Sequence, residues 1–143
     1  MFLRKVMYKF IFLLLLIPSL SIASEINLVD QFIKLSDATK VKGATQKDIN
    51  AVADLLSTQM RYQHPNYNAD LSKVEFIEGL VRYMGAAESL TTKVTNRIVG
   101  VNAVTIAYVS TTTINGKTEI DPKPLMRLIE FSEGKIVLVK EYW

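Results

Sequence analysis

The chain has no cysteine among its 143 residues. That absence excludes disulfide bonds, thiolate metal sites, cysteine nucleophiles and lipid attachment through a thiol. Histidine is nearly as scarce, since His64 is the only one. One imidazole without a thiol cannot make the usual zinc site, so no metal is expected. An excess of charge of one sign is missing too, once position is considered. Arg4, Lys5 and Lys9 are three of the 17 basic residues, and the remaining 14 face 14 acidic ones. That balance leaves no basic footprint for nucleic acid or for an anionic bilayer. No glycine-rich phosphate loop follows a strand and no G-x-S-x-G elbow occurs, so no cofactor is called for.

What is present begins with an address. Residues 1–9 carry three cations and no acid, and an unbroken apolar run follows from Phe10 to Ile17. Pro18 should end any helix there, because it lacks an N–H and its ring clashes with the preceding turn. Ser21 and Ala23 supply small side chains at the spacing a signal peptidase reads, which places a cut between Ala23 and Ser24. The run is shorter than the roughly 20 residues of a membrane span. Residues 1–23 therefore read as a cleavable signal peptide, and residues 24–143 as one periplasmic or secreted domain that meets the membrane only during export.

Within that domain helices come first. Ile26, Val29 and Ile33, flanked by Leu28, Phe32 and Leu35, predict an amphipathic helix over 25–38. A second helix opens at Thr45 with Asp48 as its capping partner, and its buried stripe is Ile49, Val52, Leu56 and Met60. Residues 61–65 should be extended, since His64 precedes a proline, and 66–71 read as a polar loop. Ser72 and Glu75 cap a third helix carrying Phe76, Ile77, Leu80, Val81 and Met84, with Gly85 as its stop. From Leu90 onward the chain reads as antiparallel strands. Asn115-Gly116 marks a hairpin, Asp121-Pro122-Lys123-Pro124 interrupts the ladder, and Glu133-Gly134 turns into the last strand. The pattern predicts an α+β fold, with three N-terminal helices packed on a strongly bent antiparallel sheet.

This order, with Tyr62-Gln63-His64-Pro65 between the second and third helices and a closing Phe131-Ser132-Glu133-Gly134-Lys135-Ile136 … Glu141-Tyr142-Trp143, resembles the nuclear transport factor 2-like superfamily. More narrowly it resembles the SnoaL-like and ketosteroid-isomerase-like branch. The resemblance implies a cone-shaped, cystatin-like fold enclosing an apolar cavity. It also implies where catalytic groups would stand. His64 occupies the place of the isomerases' general-base aspartate, Arg127 that of their oxyanion-hole acid, and Phe32 that of their first-helix tyrosine. All three are replaced, so steroid isomerase activity is not expected.

Alternation along the strands leads to the same set of side chains. Tyr62 and His64 share one face, as do Leu125, Arg127, Ile129 and Phe131. A bulged three-residue turn at Gly134 would set Val137, Val139, Glu141 and Trp143 opposite the second group, whereas a two-residue turn would expose Glu141. Tyr108 joins them through the face of Val104 and Ile106. His64 is the candidate catalytic base, and Arg127, Glu141, Tyr62, Tyr108, Trp143 and Phe32 are the candidate ligand-binding residues. Arg127 and Glu141 admit two readings: a buried ion pair tying the last strands together, or a guanidinium free to grip a ligand carboxylate or phosphate.

Three functions follow from this inventory. The first is the binding of a small, largely apolar and potentially anionic molecule. The second is a cofactor-free isomerase, cyclase, hydratase or hydrolase, with His64 moving the proton. The third is an interaction module with a filled cavity, forming a homodimer through the outer sheet face around Ala107, Val109, Thr111 and Thr113.

Overall fold

In the computed structural model residues 17–143 are described, with side chains from residue 22 onward. Residues 1–16, and with them most of the expected signal peptide, lie outside the described residues. Helix α1 spans Ile17–Lys40. Pro18 does not end it but falls within its first described turn, where a missing N–H is tolerated. The expected cut between Ala23 and Ser24 falls inside α1, so cleavage would still leave residues 24–40 to pack. Val29, Phe32, Ile33, Ser36 and Thr39 form its buried face. Among the described residues no helix is long and apolar enough to cross a membrane.

Helix α2 (Gln46–Leu55) starts where Thr45 and Asp48 predict, the Asp48 carboxylate accepting from the Thr45 N–H at 2.7 Å. It ends ten residues later, so the expected helical run to Met60 is corrected. Leu56 and Met60 are buried, but they belong to strand β1 (Leu56–His64). A spacing of four keeps two residues on one face of a helix and equally on one face of a strand, which is why the stripe misled. A 3-10 turn, Pro65–Tyr67, and strand β2 (Ala69–Ser72) follow. The second half of the expected loop over 66–71, residues 69–71, is thus a hairpin arm that pairs with β1. Helix α3 (Lys73–Arg82) is capped as predicted: Ser72 Oγ accepts from the Glu75 N–H, and Glu75 accepts from the Ser72 N–H at 2.7 Å.

The rest is sheet: β3 (Ser89–Gly100), β4 (Ala103–Ile114), β5 (Lys117–Ile120), β6 (Leu125–Ser132) and β7 (Lys135–Tyr142). Asn115 and Gly116 both take positive φ, as a two-residue hairpin turn demands. The strand order is β2-β1-β7-β6-β4-β3, with β5 paired to β4. The expectation of an all-antiparallel sheet fails at one place, because β1 runs parallel to β7. Parallel neighbours need a long crossover, and here everything from β2 to β6 supplies it. Among the described residues the outcome is an α+β fold of three helices and one mixed, curled seven-stranded sheet, with β1 and β2 standing between the second and third helices. Its core runs from Val29, Phe32, Ile49 and Val52 on the helices to Met60, Val104, Ile106, Ile129, Ile136 and Val139 on the sheet.

Candidate functional site

The last hairpin decides what faces the interior. Its turn has two residues, since Ser132 pairs with Lys135 and both Glu133 (φ 51°) and Gly134 (φ 72°) are left-handed. A two-residue turn alone would put Lys140 opposite Arg127 and turn Glu141 outward. Instead Glu130 pairs with Leu138 and Phe131 with Ile136, which leaves Val137 as an extra residue in β7. That bulge restores the inward alternation from Val139 onward. Glu141 therefore pairs across from Arg127. The correction is local: Ile136, not Val137, fills the inner position beside the turn, and it is fully buried.

Arg127 and Glu141 form an ion pair, with Nε donating to Oε1 at 2.5 Å and Nη2 standing 2.5 Å from the same oxygen. Their side chains keep only 13% and 9% of their exposure. The other carboxylate oxygen is satisfied as well: Tyr62 Oη donates to Oε2 at 2.9 Å and Trp143 Nε1 donates at 3.0 Å. Above the guanidinium lies the Tyr108 ring, 4.7 Å from Cζ, with the Phe32 ring at 5.7 Å. Arg127 Nη2 also reaches the Tyr108 hydroxyl at 3.5 Å. Among the described residues Nη1 makes no hydrogen bond.

These contacts set the charges. Burial works against ionisation of Glu141, but Arg127 and the donors Trp143 and Tyr62 outweigh it and hold the carboxyl below the usual range. Arg127 is likewise opposed by burial, and the negative charge of Glu141 keeps its pKa above the ordinary arginine value. Burial, and then Glu141, push the Tyr62 hydroxyl far up, so it remains a donor. Burial also pushes Tyr108 up to about 12.

His64 sits one register step beyond the Gln63–Lys140 pair, at the end of β1. The ring is 3% exposed and is flanked edge-on by Tyr67 at 4.5 Å and Trp143 at 4.4 Å. Both of its nitrogens are buried without a hydrogen-bond partner. It makes no hydrogen bond to Arg127; its contact with Trp143 leads on, through the Trp143–Glu141 hydrogen bond, to the ion pair. The expected set is therefore brought together in part. Tyr62, Tyr108, Arg127, Glu141, Trp143 and Phe32 form one connected cluster, and His64 meets it through Trp143. Trp143 itself is half exposed rather than enclosed. Of the two readings of Arg127 and Glu141, the contacts are those of the buried ion pair tying the last strands together.

Tyr67 and Ser36 escaped the sequence reading. Tyr67 lies in a stretch read as polar loop, although an aromatic side chain two residues after Pro65 was a signal. Ser36 follows Phe32 at a step of four, on a stripe read for its apolar members alone. A groove of about 450 Å³ lies elsewhere, between α1 and edge strand β3, lined by Ile33, Asp37, Val41, Leu90 and Val94 among others. There the Asp37 carboxylate accepts from the Thr92 N–H and hydroxyl at 2.8 and 2.9 Å, which pins α1 to β3.

No protein-family model matches the sequence, and no curated protein matches it. Solved structures do match in shape. An M. tuberculosis LEH-like epoxide hydrolase aligns with TM-score 0.67 at 16% identity, covering 86% of this chain and 80% of its own. A Catenulispora acidiphila protein of ketosteroid isomerase-like fold, solved with trimethylamine, aligns with TM-score 0.63 at 17% identity over 81% and 84%. This chain has the nuclear transport factor 2-like fold. A nuclear transport factor 2-like protein from Burkholderia xenovorans aligns with TM-score 0.61 at 14% identity over 84% and 82%. The nuclear transport factor 2-like fold carries several activities, so function must be argued from this chain's own side chains.

Proposed function

We propose that this chain is exported and that its folded domain holds a small, largely apolar molecule in a cone-like interior. The signal-like features of residues 1–23 support export to the periplasm or beyond it. The observation that carries ligand binding is His64, an imidazole 3% exposed with neither nitrogen hydrogen-bonded. Leaving a buried polar group unsatisfied costs about 1–3 kcal/mol. A ligand hydroxyl or carbonyl would recover that cost. The flanking Tyr67 and Trp143 rings are 65% and 50% exposed, so they can move aside without disturbing the core. The neighbouring fold members support the reading by kind, one holding trimethylamine and another hydrolysing epoxides.

Binding is the main reading and proton transfer by His64 a refinement of it. A base needs a partner to orient its ring, and His64 has only aromatic edges around it, so binding without turnover is the simpler case. A second reading, a homodimeric module with a filled interior, draws support from the packing: Phe32, Met60, Ile106, Ile129, Ile136 and Val139 are all at most 2% exposed. Native mass spectrometry of the full chain, expressed with its export segment, separates the two. Ligand binding predicts a small bound mass, or a thermal shift with octan-1-ol, that His64→Phe removes. No bound mass, no shift and a dimer throughout would leave the second reading standing.

A further inference from the structure

Three aromatic rings meet at the end of β1, and one of them is held less firmly than the others. His64 is buried, with both ring nitrogens unpartnered. Trp143 lies edge-on to it at 4.4 Å with 85° between the planes, and its N–H bond to Glu141 holds the indole there. Tyr67 completes the triangle, 4.5 Å from His64 and 5.5 Å from Trp143, inclined to them at 61° and 63°. Yet Tyr67 is 65% exposed, and its hydroxyl meets neither His64 nitrogen.

We infer that the Tyr67 ring stands in the place of a ligand, and that the site takes a small phenol-like molecule, a flat aromatic ring bearing one hydroxyl. This rests on the ligand-binding reading above and names the class of ligand for it.

Position makes Tyr67 displaceable. It ends the 3-10 turn Pro65–Tyr67 and precedes Asn68, whose left-handed φ of 52° leads into β2. β2 is a four-residue strand at the border of the sheet, where it pairs with β1. The ring therefore swings on a short surface connection, and moving it empties no core position. Trp143 is the steadier wall by contrast, since its N–H is tied to the buried Arg127–Glu141 pair.

Shape and chemistry set the class. A flat ring lying edge-on to two others satisfies the quadrupole preference of aromatic pairs, which a puckered aliphatic ring does not. Tyr67 makes those ring contacts but leaves His64 unmet, because its ring is tethered at Cβ and its hydroxyl turns elsewhere. A free phenol has no tether. It can keep both edge contacts and turn its O–H onto the imidazole, where the nitrogen that carries no proton accepts. Water entering beside the displaced Tyr67 can meet the remaining ring N–H. The ligand thus does what Tyr67 does and adds the hydrogen bond that Tyr67 cannot make.

Isothermal titration of the full, processed chain with p-cresol and with 4-methylcyclohexanol tests this. The two probes share their size and hydroxyl and differ in the flat ring; p-cresol is the tyrosine side chain without its backbone. The aromatic probe should bind about tenfold more tightly. Tyr67→Ala should tighten p-cresol by about the same factor, since no ring then has to be moved, and His64→Phe should remove binding. Trp143 is the only tryptophan, so its fluorescence should change along the same saturation curve. Thermal melts of Tyr67→Ala should match the parent, because that side chain is largely exposed. Equal affinity for the two probes, or p-cresol binding that Tyr67→Ala weakens or leaves unchanged, would overturn the inference. Saturable binding that leaves the Trp143 fluorescence unmoved would overturn it too. None of these results touches the ligand-binding reading, which stands as long as octan-1-ol gives a thermal shift that His64→Phe removes. If p-cresol, 4-methylcyclohexanol and octan-1-ol all fail to bind, both readings fall.

Discussion

Arg127 and Glu141 face each other across the last hairpin because Val137 is one residue too many. Without that bulge the two-residue turn at Glu133-Gly134 would bring Lys140 opposite Arg127. Two cations would then face each other and the interior would lose its only carboxylate on that strand. Deleting Val137 should therefore do more than remove a half-buried valine. The expected outcome is loss of the cooperative unfolding transition and of the near-ultraviolet signal of Trp143, read by circular dichroism. Val137→Ala keeps the extra residue and should retain both.

The ion pair is a stability device with a cost attached to breaking it singly. Arg127→Ala leaves Glu141 buried without its cation, and should cost about 3–5 kcal/mol in urea unfolding. Replacing both partners by apolar residues of similar size, Arg127→Met with Glu141→Leu, should recover most of that loss. The double variant leaves the Tyr62 hydroxyl and the Trp143 N–H without their acceptor, so recovery should stop short of complete.

Acid sensitivity follows from the same carboxylate. In the folded chain Glu141 titrates below its usual range, and in the unfolded chain near about 4.3. A depressed folded value means that its stabilisation is complete above the unfolded value and lost as pH falls through the folded one. Unfolding free energies measured between neutral pH and pH 3 should decline at the acid end. Glu141→Gln should be less stable at pH 7 and should lose less between pH 5 and pH 3 than the parent.

Met60 tests the corrected element boundary. It is 1% exposed on β1, against the helices. Met60→Ala should cost about 2–5 kcal/mol, the range for emptying a packed core position. Met60→Val places a β-branched residue that a strand accommodates and a helix does not favour. It should cost clearly less than Met60→Ala in the same urea titration.

Much of this was legible in the sequence, and what was not has identifiable causes. Capping pairs and turns are local, so Thr45–Asp48, Ser72–Glu75, Asn115-Gly116 and Glu133-Gly134 could be read directly. Alternation placed Tyr62, His64, Tyr108, Arg127 and Glu141 on inner faces correctly. It reached Glu141 by assuming a three-residue turn, where the chain uses a two-residue turn and a bulge of equal net register. The β1–β7 pairing was invisible because it joins residues 77 to 80 apart in sequence (Arg61 with Leu138, Leu56 with Ile136), with nothing local to mark it. The end of α2 was hidden by the four-residue spacing of Leu56 and Met60, which satisfies both periods. Tyr67 and Ser36 were passed over because a lone aromatic in a polar stretch, or a polar residue on a helix, reads as solvated until its neighbours in the fold are known.

The most direct test of the account reads the one imidazole in the chain. His64 supplies the only histidine ring nitrogens, so long-range proton–nitrogen spectra of the full chain report on them without assignment. Addition of octan-1-ol should move the Nδ1 or Nε2 resonance as the unpartnered nitrogen acquires a hydrogen bond, with saturation that matches the binding curve. Ring nitrogens that stay unmoved while the probe binds saturably would contradict the claim that His64 is where this fold meets its ligand.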